Sequence, residues 1–113
     1  MLKTGLVLIL MASSLTVAAE PQGDADAGRV KAASCAACHG ADGIAVIPDY
    51  PNLAAQQQRY LQLSIRAYRD GERKHDVMSP MAAGLTEQDI ADLAAFYSSL
   101  PVQATAAQST PAK

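Results

Sequence analysis

Apolar positions late in the chain recur at helical spacing. Ile90, Leu93, Phe96, Tyr97 and Leu100 make one face of a predicted helix. Thr86 followed three residues later by Asp89 is a capping box at its start, and Pro101 stops it. A second face, Leu61, Ile65 and Tyr68 with Leu53 and Tyr60 at its edge, predicts a helix from about 54 to 70, closed by Gly71. A third, shorter helix is expected over 24–33, with Asp24 as N-cap and acidic residues where the helix dipole favours them. Gly28 in its middle is a poor helix former and fits a close approach to another helix. Gly40, Gly43, Pro48 and Pro51 make the segment after residue 39 a loop; Pro80 and Gly84 do the same for 72–84. No run alternates as a strand would. The pattern therefore predicts an all-α fold of three to four helices.

The first residues follow a different pattern. Lys3, a short apolar run through Leu10 and Met11, and the small residues Val17-Ala18-Ala19 have the layout of a secretory signal peptide, expected over residues 1–19. Ser13, Ser14 and Thr16 interrupt the run, which is too short for a comfortable membrane span, so a retained anchor is the lesser reading. The expected domain is 20–101. The segment 102–113, rich in Ala, Gln, Thr and Pro, is an expected disordered tail.

Composition then poses a problem. The chain has one Phe, four Tyr and no Trp, and alanine buries little area. Domains this small usually need a staple or a bound group to complete a core. The formal net charge is −2 with no basic run, so nucleic-acid binding has no electrostatic footprint. The mixed charges of 69–76 read as a solvated loop able to touch a cofactor carboxylate or a partner. No Ser/His/Asp set suggests hydrolysis, and Asp24 with Asp26 reads as capping rather than acid–base chemistry.

The only two cysteines lie in Cys35-Ala36-Ala37-Cys38-His39-Gly40. A disulfide suits an exported chain. A redox-active pair normally follows a strand, and none precedes Cys35. Zinc needs about four ligands, and only distant His75 could join these three. Covalent haem attachment by C-x-x-C-H uses every part of the stretch. Each thiol bonds one porphyrin vinyl group, and the imidazole of His39 binds iron. The haem also supplies the missing apolar core.

Iron has a second axial position, for which Met78, Met81 and His75 are the candidates. A thioether favours ferrous iron and raises the potential relative to two imidazoles. Spacing alone does not separate Met78 from Met81, and both could simply fill core gaps. Tyr60 and Tyr68 fit packing around such a pocket better than chemistry.

The segments CAACHGADG, YPNLAAQ, RDGERK and MSPMAAGLTEQDIADLAAFYSSL carry a family resemblance. From about residue 23 to 100 the chain resembles a small bacterial class I cytochrome c, most similar to single domains of the cytochrome c4 and c553 groups. The resemblance implies a cytochrome c fold wrapped around one haem c, covalent through Cys35 and Cys38, with His39 as one axial ligand. It implies Met78 as the other, because the family's methionine lies seven residues before the leucine that opens the last helix, here Leu85. It implies that the Pro51 carbonyl accepts a hydrogen bond from the His39 ring, and that Gly28 meets the Leu93–Tyr97 face of the last helix. Cytochromes c4 have two such domains, whereas this chain has one C-x-x-C-H.

The expected function is that of a periplasmic single-electron carrier rather than an enzyme. Its partners would be redox proteins such as a respiratory complex, terminal oxidase or dehydrogenase, met as a monomer in transient complexes. A haem subunit of a periplasmic dehydrogenase is the alternative, followed by an open-site haem sensor or peroxidase.

Overall fold

The computed structural model describes Met1 and residues 13–102. The apolar run of the expected signal peptide and nearly all of the expected tail lie outside the described residues. Five helices follow in order: α1 (Ala25–Lys31), α2 (Ala33–His39), α3 (Gln58–Arg69), α4 (Met78–Ala82) and α5 (Glu87–Ser99). The described residues contain no strand, in line with the all-α expectation.

The N-terminus of α1 forms as the sequence predicts. The Asp24 carboxylate accepts from the backbone N–H of Asp26 at 2.8 Å and of Ala27 at 3.1 Å, satisfying donors that the helix leaves free. Arg29 and Lys31 lie in the last turn, where the dipole favours cations. The predicted continuation to residue 33 is instead divided at Ala32, which ends α1 and begins α2. Buried Ala32 is the elbow through which the chain enters the cysteine turn.

The start of α3 is a correction. Periodicity placed it near residue 54, but the helix begins at Gln58. Tertiary hydrogen bonds decide this boundary. The Ala54 N–H donates to the Gly43 carbonyl at 3.0 Å, and the Ala55 N–H to the Tyr97 carbonyl at the same distance. Ala55 takes a positive φ of 59° to do so, a conformation outside any right-handed helix. A second correction concerns 72–84, expected as loop throughout: Met78–Ala82 is helical. Pro80 does not prevent this, because in a first turn its missing N–H would have no helical partner.

α5 organises the rest. Its capping box is formed, with Thr86 Oγ1 accepting from the Asp89 N–H at 3.1 Å and the Asp89 carboxylate from the Thr86 N–H at 2.9 Å. Leu93, Ala94, Phe96 and Tyr97 form the core with Ala32 and Leu61. α1 crosses α5 at Gly28, where a Cβ would stand 2.0 Å from the Asp92 carbonyl oxygen and 2.8 Å from Phe96 Cβ. The crossing expected at Gly28 is thus present, and it is shifted slightly toward Asp92.

Candidate functional site

Residues of α2, α3, α4, α5 and the 49–56 loop line one cavity of about 510 Å³. That size falls among small-molecule and cofactor sites, at ~300–1,000 Å³. Both cysteines border it from α2, half-buried. Their spacing places them on neighbouring positions of one helix face. Burial pushes the Cys35 thiol above its ordinary range.

His39 ends α2, because Gly40 takes φ 82° and its N–H returns to the Ala36 carbonyl. The imidazole is only 7% exposed. Its Nδ1 lies 2.9 Å from the Pro51 carbonyl oxygen, so Nδ1–H donates and Nε2 keeps its lone pair. The loop holding Pro51 is itself fixed. The Gly43 carbonyl accepts from the Leu53 N–H at 2.8 Å, and Asn52 Oδ1 from the Ala45 N–H at 2.8 Å. The Tyr50 ring lies 6.5 Å from that of His39. The sequence singled out Pro51; Tyr50 and Asn52 stand beside it in YPNLAAQ with no role assigned.

α4 brings Met78 and Met81 to the same cavity, as does the loop before it with His75. The three differ in exposure and in contacts. Met78 is half-buried, whereas Met81 is 43% exposed. His75 has its Nδ1 engaged by the N–H groups of Val77 and Met78, each at 3.2 Å. Tyr68 also lines the cavity, and the Arg73 guanidinium sits over its ring at 4.4 Å. Tyr60 borders the cavity and is otherwise exposed.

One polar atom in the wall stands out. Tyr97 Oη is buried without a hydrogen-bond partner, and burial raises its phenol far above the ordinary range. A cavity with two thiols, an imidazole with a free Nε2, two thioethers and an orphaned hydroxyl fits an apolar iron porphyrin. Among the described residues no three His, Cys, Asp or Glu side chains are grouped to hold a metal ion, so the ligand set that zinc needs is not assembled.

Residues 25–101 match the family model for cytochrome c. The chain belongs to the cytochrome c family. It is a haem c electron-transfer protein, and Cys35, Cys38 and His39 form its attachment motif. Cytochrome c-554(548) of Halomonas halodenitrificans is 56% identical over 80 residues, covering 68% of this chain and 96% of that one. Cytochrome c4 of Pseudomonas aeruginosa is 45% identical over 94 residues, covering 83% of this chain and 47% of that one. The reduced recombinant cytochrome c4 of Pseudomonas stutzeri has a similar structure, with a TM-score of 0.67 and 40% identity over 70% of this chain and 46% of that one. A thiosulfate dehydrogenase electron acceptor of Thiomonas intermedia is 44% identical over 71 residues, covering 62% of this chain and 33% of that one. This chain thus spans nearly all of the Halomonas protein but about half of the cytochromes c4. No helix among the described residues is long and apolar enough to cross a membrane.

Proposed function

We propose that this cytochrome is a single-electron carrier in which His39 and Met78 are the two axial ligands. The observation that carries the reading is the 2.9 Å contact between His39 Nδ1 and the Pro51 carbonyl. It sets the tautomer, leaves Nε2 for iron and raises its basicity. Haem c supplies the one-electron chemistry. The chain's own residues hold it, exclude water and set the potential. Cys35 and Cys38 tether the group, and Met78 supplies the soft ligand that favours the ferrous state. With both axial positions taken, no position is left for a substrate, and the protein is a carrier rather than an enzyme.

The carrier is periplasmic, exported by a signal peptide over 1–19 that precedes a domain over 20–101. It docks redox proteins through small transient interfaces. A second reading, a haem subunit bound to a dehydrogenase, is supported by the likeness to the thiosulfate dehydrogenase electron acceptor. A fixed stoichiometry on purification would favour the subunit; a free monomer would favour the carrier.

Visible spectra of wild type, Met78→Ala and Met81→Ala test the ligand set. Wild type should show the iron–thioether charge-transfer band, Met78→Ala should lose it, and Met81→Ala should keep it. A band surviving in Met78→Ala overturns the assignment. A wild type without the band, binding carbon monoxide rapidly when reduced, would make an open-site haem protein the better reading.

A further inference from the structure

We infer that His75 is a positioning residue, holding the short helix that carries Met78 in register with the haem cavity. The inference rests on Met78 being an axial ligand.

Met78 is the first residue of α4, which is five residues long. A helix of that length has no stability of its own, since nucleation is costly and few bonds follow. Its N-cap position, Val77, offers no side-chain hydrogen bond. Pro80, in the same first turn, has no N–H. Something else must hold these residues in helical conformation.

His75 does so with ring and backbone together. Its Nδ1 accepts from the N–H of Val77 and of Met78, each at 3.2 Å. These donors lie two and three residues along the chain. Asp24 caps α1 with the same offsets, accepting from Asp26 and Ala27. His75 thus performs at α4 the task usually given to Asp, Asn, Ser or Thr. Its own N–H donates to Ser79 Oγ at 2.9 Å, and its carbonyl accepts from the Ser79 N–H at 3.0 Å. Four hydrogen bonds therefore tie one residue to 77–79.

The ring is also fixed from outside its own loop. It meets Tyr68 of α3 nearly edge-on, with centroids 6.4 Å apart at 73°. Tyr68 is in turn stacked under Arg73. The chain of contacts runs from a twelve-residue helix in the core, through Tyr68 and His75, to the backbone of Met78. A histidine here joins a capping acceptor to an aromatic face, which neither Asp nor Ser provides.

The test compares haem-loaded wild type, His75→Ala, His75→Asn and Ser79→Ala. Carbon monoxide binds the ferrous protein only after the methionine leaves the iron, so its rate reads how firmly α4 holds Met78. His75→Ala should bind about five- to tenfold faster, the factor a lost helix cap typically represents. The amides of Val77 and Met78 should exchange faster with deuterium by a similar factor. His75→Asn restores the acceptor but not the ring contact with Tyr68, and should be slower than His75→Ala in both measurements. Ser79→Ala should fall between. The proposal is overturned if His75→Ala stays within twofold of wild type in both measurements, or if His75→Asn is as fast as His75→Ala. Should His75→Ala fail to accumulate, the other two variants decide: Ser79→Ala at the wild-type rate in both measurements, or His75→Asn about tenfold faster than wild type, overturns the proposal. Failure of the ligand assignment is distinct: it shows as a charge-transfer band surviving in Met78→Ala, whatever His75 does.

Discussion

Asp92 lies 2% exposed inside an Ala-rich core, and a buried carboxylate is expensive unless its lone pairs are filled. Here they are. The Asp24 N–H donates at 2.8 Å, Lys31 Nζ at 2.6 Å and Gln88 Nε2 at 2.8 Å. Lys31 also pairs with Asp89 at 2.8 Å. One carboxylate thus joins the cap of α1, the end of α1 and the first turns of α5. Asp92→Ala should lower unfolding stability by about 2–4 kcal/mol, because three donors lose their acceptor together. The shift of the denaturant midpoint at unchanged slope measures it. Asp92→Asn keeps the shape and some of the acceptors, and should lose less. This network was not read from the sequence. A usable signal existed: Asp89 and Asp92 recur at helical spacing beside the apolar face, and Gly28 and Lys31 lie three apart on the crossing helix.

At the scale of elements, the crossing of α1 and α5 is set by how closely two backbones approach. Gly28→Ala would place a methyl against the Asp92 carbonyl, which is backbone and cannot rotate away. The helices must separate, and overpacking of this kind costs about 1–3 kcal/mol. Thermal unfolding of the haem-loaded variant should show a lower midpoint, with the visible spectrum at 25 °C little changed, because Gly28 does not line the haem cavity. The legible elements were those whose signals are local. The Thr86–Asp89 box and the Asp24 cap are short-range side-chain chemistry, and both helix starts were found from them. The start of α3 was misplaced because it depends on the carbonyls of Gly43 and Tyr97, distant in sequence. α4 was missed because its cap is a histidine and its first turn contains proline, both of which read as loop. Cys35, Cys38 and His39 are read from their motif and Pro51 and Met78 from the resemblance, and all five border one cavity. What positions them, Asn52 and His75 above all, acts through loop geometry that leaves no period in the sequence.

At the scale of the whole molecule, ion pairs join α1 and α3 to α5, and their titration makes stability depend on pH. Lys31 first, then the Thr86 backbone, hold the Asp89 carboxyl down to about 2; Arg66 and Arg69 hold Glu87 to about 2. Lys31 also lowers Asp92. A carboxylate lowered by folding contributes stability that is complete above its unfolded value, ~4 for Asp and Glu, and is lost as pH falls through its folded value. Lys31 is shifted the opposite way, raised by Asp89 and Asp92, so its share is complete below its unfolded value of ~10.4 and is lost only in strong alkali. The ion-pair contribution should therefore be flat from about pH 5 to 9 and fall between about pH 4 and 2. Two variants separate its sources. Glu87 meets Arg66 and Arg69 at a surface where its side chain is 46% exposed, so salt near ~1 M should erase most of the difference between Glu87→Gln and wild type. Asp89 shares Lys31 with a carboxylate that water barely reaches, so Asp89→Asn should flatten the acid limb in low and high salt alike. Denaturant midpoints from pH 2 to 9 at two salt concentrations check this. Equal salt sensitivity of the two variants would mean that the α1–α5 pair behaves as an ordinary surface contact, despite the burial of Asp92.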